Sequence, residues 1–162
     1  MKKGIFLLPI LVLFVQSCIY HREDDVYRPS YNAEILEREA FENSIELLPA
    51  RSVIKSGKIY VKDDYAFINE VNVGFHIFNY SNPENPVAIS FLKVPGATDL
   101  SIRNNIFYIN QAVDLVTLAY QPTSNTYQFL HRNRNMFPQK QSPNFDYTPL
   151  TENQVIINWI PN

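Results

Sequence analysis

The aspartates Asp63, Asp64, Asp99 and Asp114 are the carboxylates best placed to do chemistry, at turns or strand starts. Two such groups flanking a glycosidic bond can share the acid and the nucleophile or base duties of glycoside hydrolysis. Aspartate is also favoured at turns because its side chain bonds the local backbone, which accounts for these positions without catalysis. His21, His76 and His131 show no metal-ligand spacing, and the single cysteine has no second thiol to help. Four glycines in the whole chain make no phosphate-cradling loop, and there is no G-x-S-x-G elbow. The residues point to no catalytic group, no metal and no cofactor, so a non-enzymatic protein is expected.

Cys18 offers a different chemistry. The chain opens MKKGIFLLPILVLFVQSC, with Lys2 and Lys3 ahead of an apolar run from Gly4 to Val15. That run is shorter than the ~20 residues of a spanning helix. A charged start, a short apolar stretch and a small residue before the break read as an export signal over residues 1–17. Val15-Gln16-Ser17-Cys18 resembles a lipobox: Ser17 is the small residue that cleavage needs and Val15 the apolar one, while Gln16 departs from the usual small residue. The Cys18 thiol would accept a diacylglyceryl group and become the new N-terminus, and two or three acyl chains anchor firmly. No intramolecular disulfide is possible with one cysteine.

Residues 18–31 follow as the lipidated cysteine and a polar tether too poor in apolar residues to fold alone. Arg22-Glu23-Asp24 resembles the signal that sends some Bacteroidetes lipoproteins to the outer face of the outer membrane; a solvated linker explains the same charges. An exported outer membrane lipoprotein is expected, with periplasmic and surface leaflets both open. Without residues 1–17 about 145 residues remain, enough for one domain. Twelve basic residues then face 16 acidic ones, a formal −4. Nucleic acid wants a concentrated basic face, so it is not expected as a partner.

The elements that must position any site come next. Residues 32–50 predict a helix: Asn32 can cap it, Ile35, Leu36, Ala40, Phe41 and Ile45 fall at three- and four-residue steps, Glu34 and Arg38 make an i,i+4 pair, and Pro49 ends it. Residues 51–162 predict a β-domain. KDDYAFINE from Lys62 to Glu70 and RNNIFYINQ from Arg103 to Gln111 repeat one strand–turn–strand phrase. Around them, four strands recur in about 40 residues, giving repeats at about 58–96 and 99–138 with a one-residue deletion in the second. Four strands at that period are the sequence form of a propeller blade. Strands such as Phe75–Phe78 and Ile106–Ile109 carry apolar residues on both faces, as in sheets covered on both sides. A sandwich with two similar halves is the alternative.

The residues from Ser56 to Tyr65 resemble the opening of an LVIVD-repeat blade. Gly74–Val87, with Ser81-Asn82-Pro83-Glu84-Asn85-Pro86, resembles its apolar centre and its D-x-S-x-P-x-x-P turn. Arg38–Ile45, Leu48-Pro49, Val113–Val116 and Asn135–Pro138 are similar to Bacteroidetes lipoproteins carrying this repeat, so the likeness runs from about residue 34 to 138. It implies a lipid-anchored, propeller-like protein and brings no catalytic residue and no established ligand. Asn79 stands where the repeat usually has aspartate. A closed propeller needs ~4–8 blades, and only two are legible here, plus a last strand at Gln154–Ile160. The predicted fold is therefore all-β with one N-terminal helix, two four-stranded propeller-type blades and a terminal strand in an open or incomplete array.

The tail sets aromatics among polar turn residues at Asn144–Pro149 and Asn158–Pro161. Such surfaces stack on sugars or anchor a protein; capping the sheet end is the other reading. The expected function is a cell-envelope lipoprotein, a non-enzymatic binding or scaffolding module for a protein or glycan partner. A carbohydrate-processing enzyme or accessory using the turn carboxylates, and a shortened paralogue with little function of its own, are the alternatives. Open sheet edges invite pairing, so a homo-oligomer is a further expectation, beside the membrane reached through lipid on Cys18.

Overall fold

The structure is a computed structural model that describes residues 30–162. The export signal, Cys18, His21 and most of the tether lie outside the described residues.

Strand β1 (Tyr31–Glu37) leads into a short helix α1 (Arg38–Glu42) and strand β2 (Glu46–Pro49). Four strands follow, β3 (Ile59–Lys62), β4 (Tyr65–Glu70), β5 (Gly74–Asn79) and β6 (Val87–Lys93). Four more repeat the pattern, β7 (Ala97–Arg103), β8 (Ile106–Gln111), β9 (Asp114–Gln121) and β10 (Thr126–Asn133), before the terminal β11 (Gln154–Pro161). Each group of four is an antiparallel meander, and no sheet closes on itself. The repeated phrase is the β3–β4 and β7–β8 hairpin. Both close over two residues, with Lys62 opposite Tyr65 and Arg103 opposite Ile106. Asp63 and Asn104 take left-handed φ angles of 52° and 53°, which short Asp and Asn side chains tolerate. The deletion falls in the next turn, which has three residues between β4 and β5 and two between β8 and β9.

The two blades pack face to face. Phe67 on β4 meets Phe107 on β8 edge-on at 5.0 Å, and Tyr120 on β9 lies 5.3 Å from Phe107. Phe75, Ile77, Leu92, Ile109, Val116 and Leu118 fill the same core. Burying each such side chain is worth about 1.5–3 kcal/mol. Coverage of the two blades differs. β5 is buried on both faces from Gly74 to Ile77, because the segment 50–57 crosses its outer side. β9 alternates strictly, with Asp114, Val116, Leu118 and Tyr120 buried and the residues between them half-buried. Two-sided burial, expected of both blades, thus holds in the first alone, and there only along Gly74–Ile77 under segment 50–57.

The expected helix over 32–50 is corrected. Residues 31–37 form a strand that pairs antiparallel with β11, Tyr31 opposite Pro161 and Glu37 opposite Gln154. Helix survives only over Arg38–Glu42, and Glu46–Pro49 adds a fifth strand to the first blade beside β6. β structure therefore begins at Tyr31, twenty residues before the expected 51, and Ser30 accepts a backbone hydrogen bond from Asn162 at 3.0 Å. Helical spacing lost to tertiary pairing: β11 offers a full ladder more than a hundred residues away. Arg38 reaches Asp114 at 2.9 Å rather than pairing with Glu34. Pro49 ends an edge strand, where its missing N–H is tolerated. Phe41, Ala112, Val113, Val155 and Ile157 form a second, smaller core where the β1–β11 sheet caps the blade ends. Among the described residues no helix is long and apolar enough to cross a membrane.

Candidate functional site

The four turn aspartates go to three separate places. Asp63 pairs with its neighbour Lys62 at 2.5 Å, and Asp64 completes the same hairpin turn and accepts from the Tyr80 N–H through its backbone. Asp99 on β7 accepts from Lys58 Nζ at 2.6 Å and from the Tyr60 hydroxyl at 2.5 Å. These hydrogen bonds from Lys58 and Tyr60 hold its carboxyl below the usual range. Burial, together with Asp99 itself, pushes the Tyr60 hydroxyl up to about 12. Asp114 is fully buried between Arg38 and Arg132. The carboxylates of Asp63, Asp99 and Asp114 are thus each held by different partners.

The histidines also separate. His76 is buried, with Nε2 2.7 Å from Glu70 Oε2, and Arg51 reaches the same oxygen at 2.8 Å while lying over the Phe91 ring at 4.1 Å. This row of Arg51, Glu70, His76 and Phe91 closes the outer face of the first blade where segment 50–57 crosses it. His131 stands exposed on β10. Among the described residues no three His, Cys, Asp or Glu side chains gather in a way that would hold a metal.

The aromatic tail forms a more distinctive site. After β10 the chain returns along β11, fastened by side chains rather than by a ladder. Gln139 donates to the Gln154 carbonyl and accepts from the Ile156 N–H, both at 3.1 Å. Trp159 Nε1 donates to the Lys140 carbonyl at 3.0 Å. The chain then turns at Ser142-Pro143-Asn144-Phe145, with the Phe145 N–H donating back to the Ser142 carbonyl at 3.1 Å. The buried Ser142 hydroxyl donates to Asp146 Oδ2 at 2.7 Å and locks the turn. Phe145 itself takes a left-handed φ of 60°, a conformation costing a non-glycine residue about 1–2 kcal/mol. Its ring is 83% exposed and that of Tyr147 is 88% exposed. Both stand beside a shallow hollow of about 370 Å³ that Trp159, Asp146 and Gln141 also line. Among the described residues no contact buries either of these two large rings.

Lys140 stands under this shelf. Its ammonium donates to Asn72 Oδ1 at 2.8 Å, and Asn72 in turn donates to Asn158 at 2.6 Å. Burial without a carboxylate partner brings its pKa down to about 8. A larger groove of about 760 Å³ opens between the β1–β11 sheet and the first blade, lined by Leu36, Leu48, Val73, Phe91 and Ile157. Most of its charged rim is internally matched, Lys93 with Glu46 and Arg51 with Glu70, with Glu34 the exception, whereas the aromatic shelf displays two large exposed rings.

The sequence singled out Phe145, Tyr147 and Trp159, and the structure brings them to one shelf. It did not single out Lys140, Asn72 or Ser142, because their roles arise from contacts between distant segments. Asn72 alone left a trace, as the asparagine of a turn needing a positive φ, here 66°. No family model matches this chain, and neither a curated protein nor a solved structure matches it.

Proposed function

We propose that this protein is a cell-envelope lipoprotein with a non-enzymatic binding role, anchored through Cys18 and taking a glycan chain on its aromatic shelf. The observation that carries the reading is the pair Phe145 and Tyr147, 83% and 88% exposed, the first in a strained backbone conformation. Strain kept at a ring that is almost wholly exposed supports a residue held for a ligand. The apolar face of a pyranose stacks on such rings, and the neighbouring Asp146 and Gln141 offer hydrogen bonds to its hydroxyls. A few polar groups beside aromatic surface give orientation as well as affinity. The separate engagement of Asp63, Asp99 and Asp114 favours binding over hydrolysis. The blade pattern and the LVIVD-type resemblance support the same class of exported, anchored protein.

Trp159 is the only tryptophan, so its fluorescence reports on the shelf. Titration with chitohexaose and maltohexaose should give a saturable change with at least one of them. The Phe145→Ala/Tyr147→Ala double variant should abolish it. No change with either sugar, or unaltered binding by the double variant, overturns the glycan reading. Cys18→Ala should release the protein from the membrane fraction, and full retention would count against the anchor.

A further inference from the structure

The two blades stack head to tail, and this leaves one free face of each kind. Aligning the hairpins, Phe107 and Ile109 of β8 correspond to Ala66 and Ile68 of β4, and Leu118 of β9 corresponds to Phe78 of β5. Phe107, Ile109 and Leu118 face the core between the blades. Their counterparts Ala66, Ile68 and Phe78 lie on the opposite, outward face of the first blade, while Phe67, Phe75 and Ile77 meet the second blade. The internal interface therefore joins unlike faces, as successive blades of a ring do.

The outward face of the first blade is apolar along a continuous row. Val61, Ala66, Phe78 and Ala88 stand side by side across β3 to β6. Val61 is 59% exposed and Ile59, in the next row, 62%. Segment 50–57 covers the Phe91 end and brings Val53 up to Phe78 and Ala88 across a hollow of about 480 Å³, so Ala66 is buried and Phe78 half-buried, and the row opens to solvent at Val61 and Ala88. The outward face of the second blade carries Ile106 beside Ala119 and Tyr108 beside Thr117. Tyr108 corresponds to Phe67, the residue that fills the internal interface from the other side.

We propose that a second copy of this chain docks its second blade, through Tyr108 and Thr117, onto the outward face of the first blade at Val61 and Phe78. The faces left free are the two halves of the interface already inside the chain, and this is what names the occupant. A head-to-tail contact closes into a ring or continues as a filament. With ~4–8 blades to a closed propeller, roughly two to four copies complete one. This inference is independent of the glycan shelf, which lies on the β11 side of the molecule.

Sedimentation equilibrium of the purified full chain, in a detergent matched in density to the buffer, reads protein mass alone. The wild type should give a multiple of the monomer mass at micromolar concentration. Val61→Asp and Tyr108→Asp should each be monomeric, and an equimolar mixture of the two should recover a dimer, because one intact interface remains per pair. A monomeric wild type overturns the proposal. So does an oligomer that survives Tyr108→Asp, or a mixture that fails to recombine. Circular dichroism checks that each variant is folded; Ile59→Asp and Thr117→Asp replace any that is not, with the same outcomes required.

Discussion

Replacing Asp114 by asparagine keeps the shape of the side chain and removes its charge. In the native protein that carboxylate accepts from Arg38 Nη1 at 3.0 and 2.9 Å, from Arg132 Nη1 at 2.8 Å and from the Asn135 N–H at 3.0 Å. Its side chain is 0% exposed, that of Arg132 7% and that of Arg38 16%. Both guanidiniums also lie over the Phe41 ring, at 5.5 and 5.2 Å. Asparagine would leave Arg132 nearly buried without its anion and Arg38 with only Glu42 at 3.9 Å, with an amide donor pointing at one of the two cations. Breaking a buried pair in this way costs about 3–5 kcal/mol, against the ~5–15 kcal/mol that holds an ordinary domain together. The cluster ties α1 to β9 and β10, so the loss should appear in global unfolding. Urea denaturation followed by Trp159 fluorescence should show the midpoint falling by on the order of 1–3 M. A loss under about 1 kcal/mol, the range of an exposed pair, would refute the view that this buried carboxylate organises the fold. Arg132→Met in the Asp114→Asn background should recover part of the loss, since it removes one of the stranded cations.

Other expectations follow from single residues. Phe145→Gly should raise stability by about 1 kcal/mol by relieving the left-handed φ of 60°, and should abolish sugar binding; thermal melts and the Trp159 titration check the two effects. Lys140 titrates at about 8 in the folded protein because burial disfavours its charge. The unfolded chain therefore holds that proton more tightly, and wild-type stability should rise from about pH 8 towards the ordinary lysine value of 10.5. Lys140→Met should be more stable at pH 7 and lack that rise, which a pH series of urea melts measures. Gly74 has a φ of 153°, and a Cβ there would lie 2.2 Å from the Leu92 carbonyl oxygen. Gly74→Ala should cost about 1–3 kcal/mol or more, read as a lowered melting temperature.

What the sequence determined by itself was local and periodic. Asp63-Asp64 and Asn104-Asn105 mark tight hairpins because those residues accept the backbone angles that the turn demands. The recurrence of the phrase across Lys62–Glu70 and Arg103–Gln111 reveals two four-stranded units, because each turn and each strand is specified within a few residues. Phe145 and Tyr147 were legible as a surface because large rings among turn residues have nothing nearby to pack on. Tertiary structure decided the rest. Residues 31–37 carry helical spacing, yet they become a strand because β11 supplies a ladder that no local pattern announces. Asp114 looked like a turn carboxylate with catalytic potential, and became a buried structural anion once Arg38 and Arg132 converged on it from either side. The two blades read as equally apolar, yet only the first is covered on its outer face, and only along Gly74–Ile77, where segment 50–57 crosses it. Lys140 showed nothing in sequence, and its lowered pKa comes from burial beside Asn72. Turns and strand periods arise from neighbours along the chain, which a sequence displays. Pairing of distant strands, burial of charge and the exposure of one sheet face arise from neighbours in space, which only the folded protein fixes.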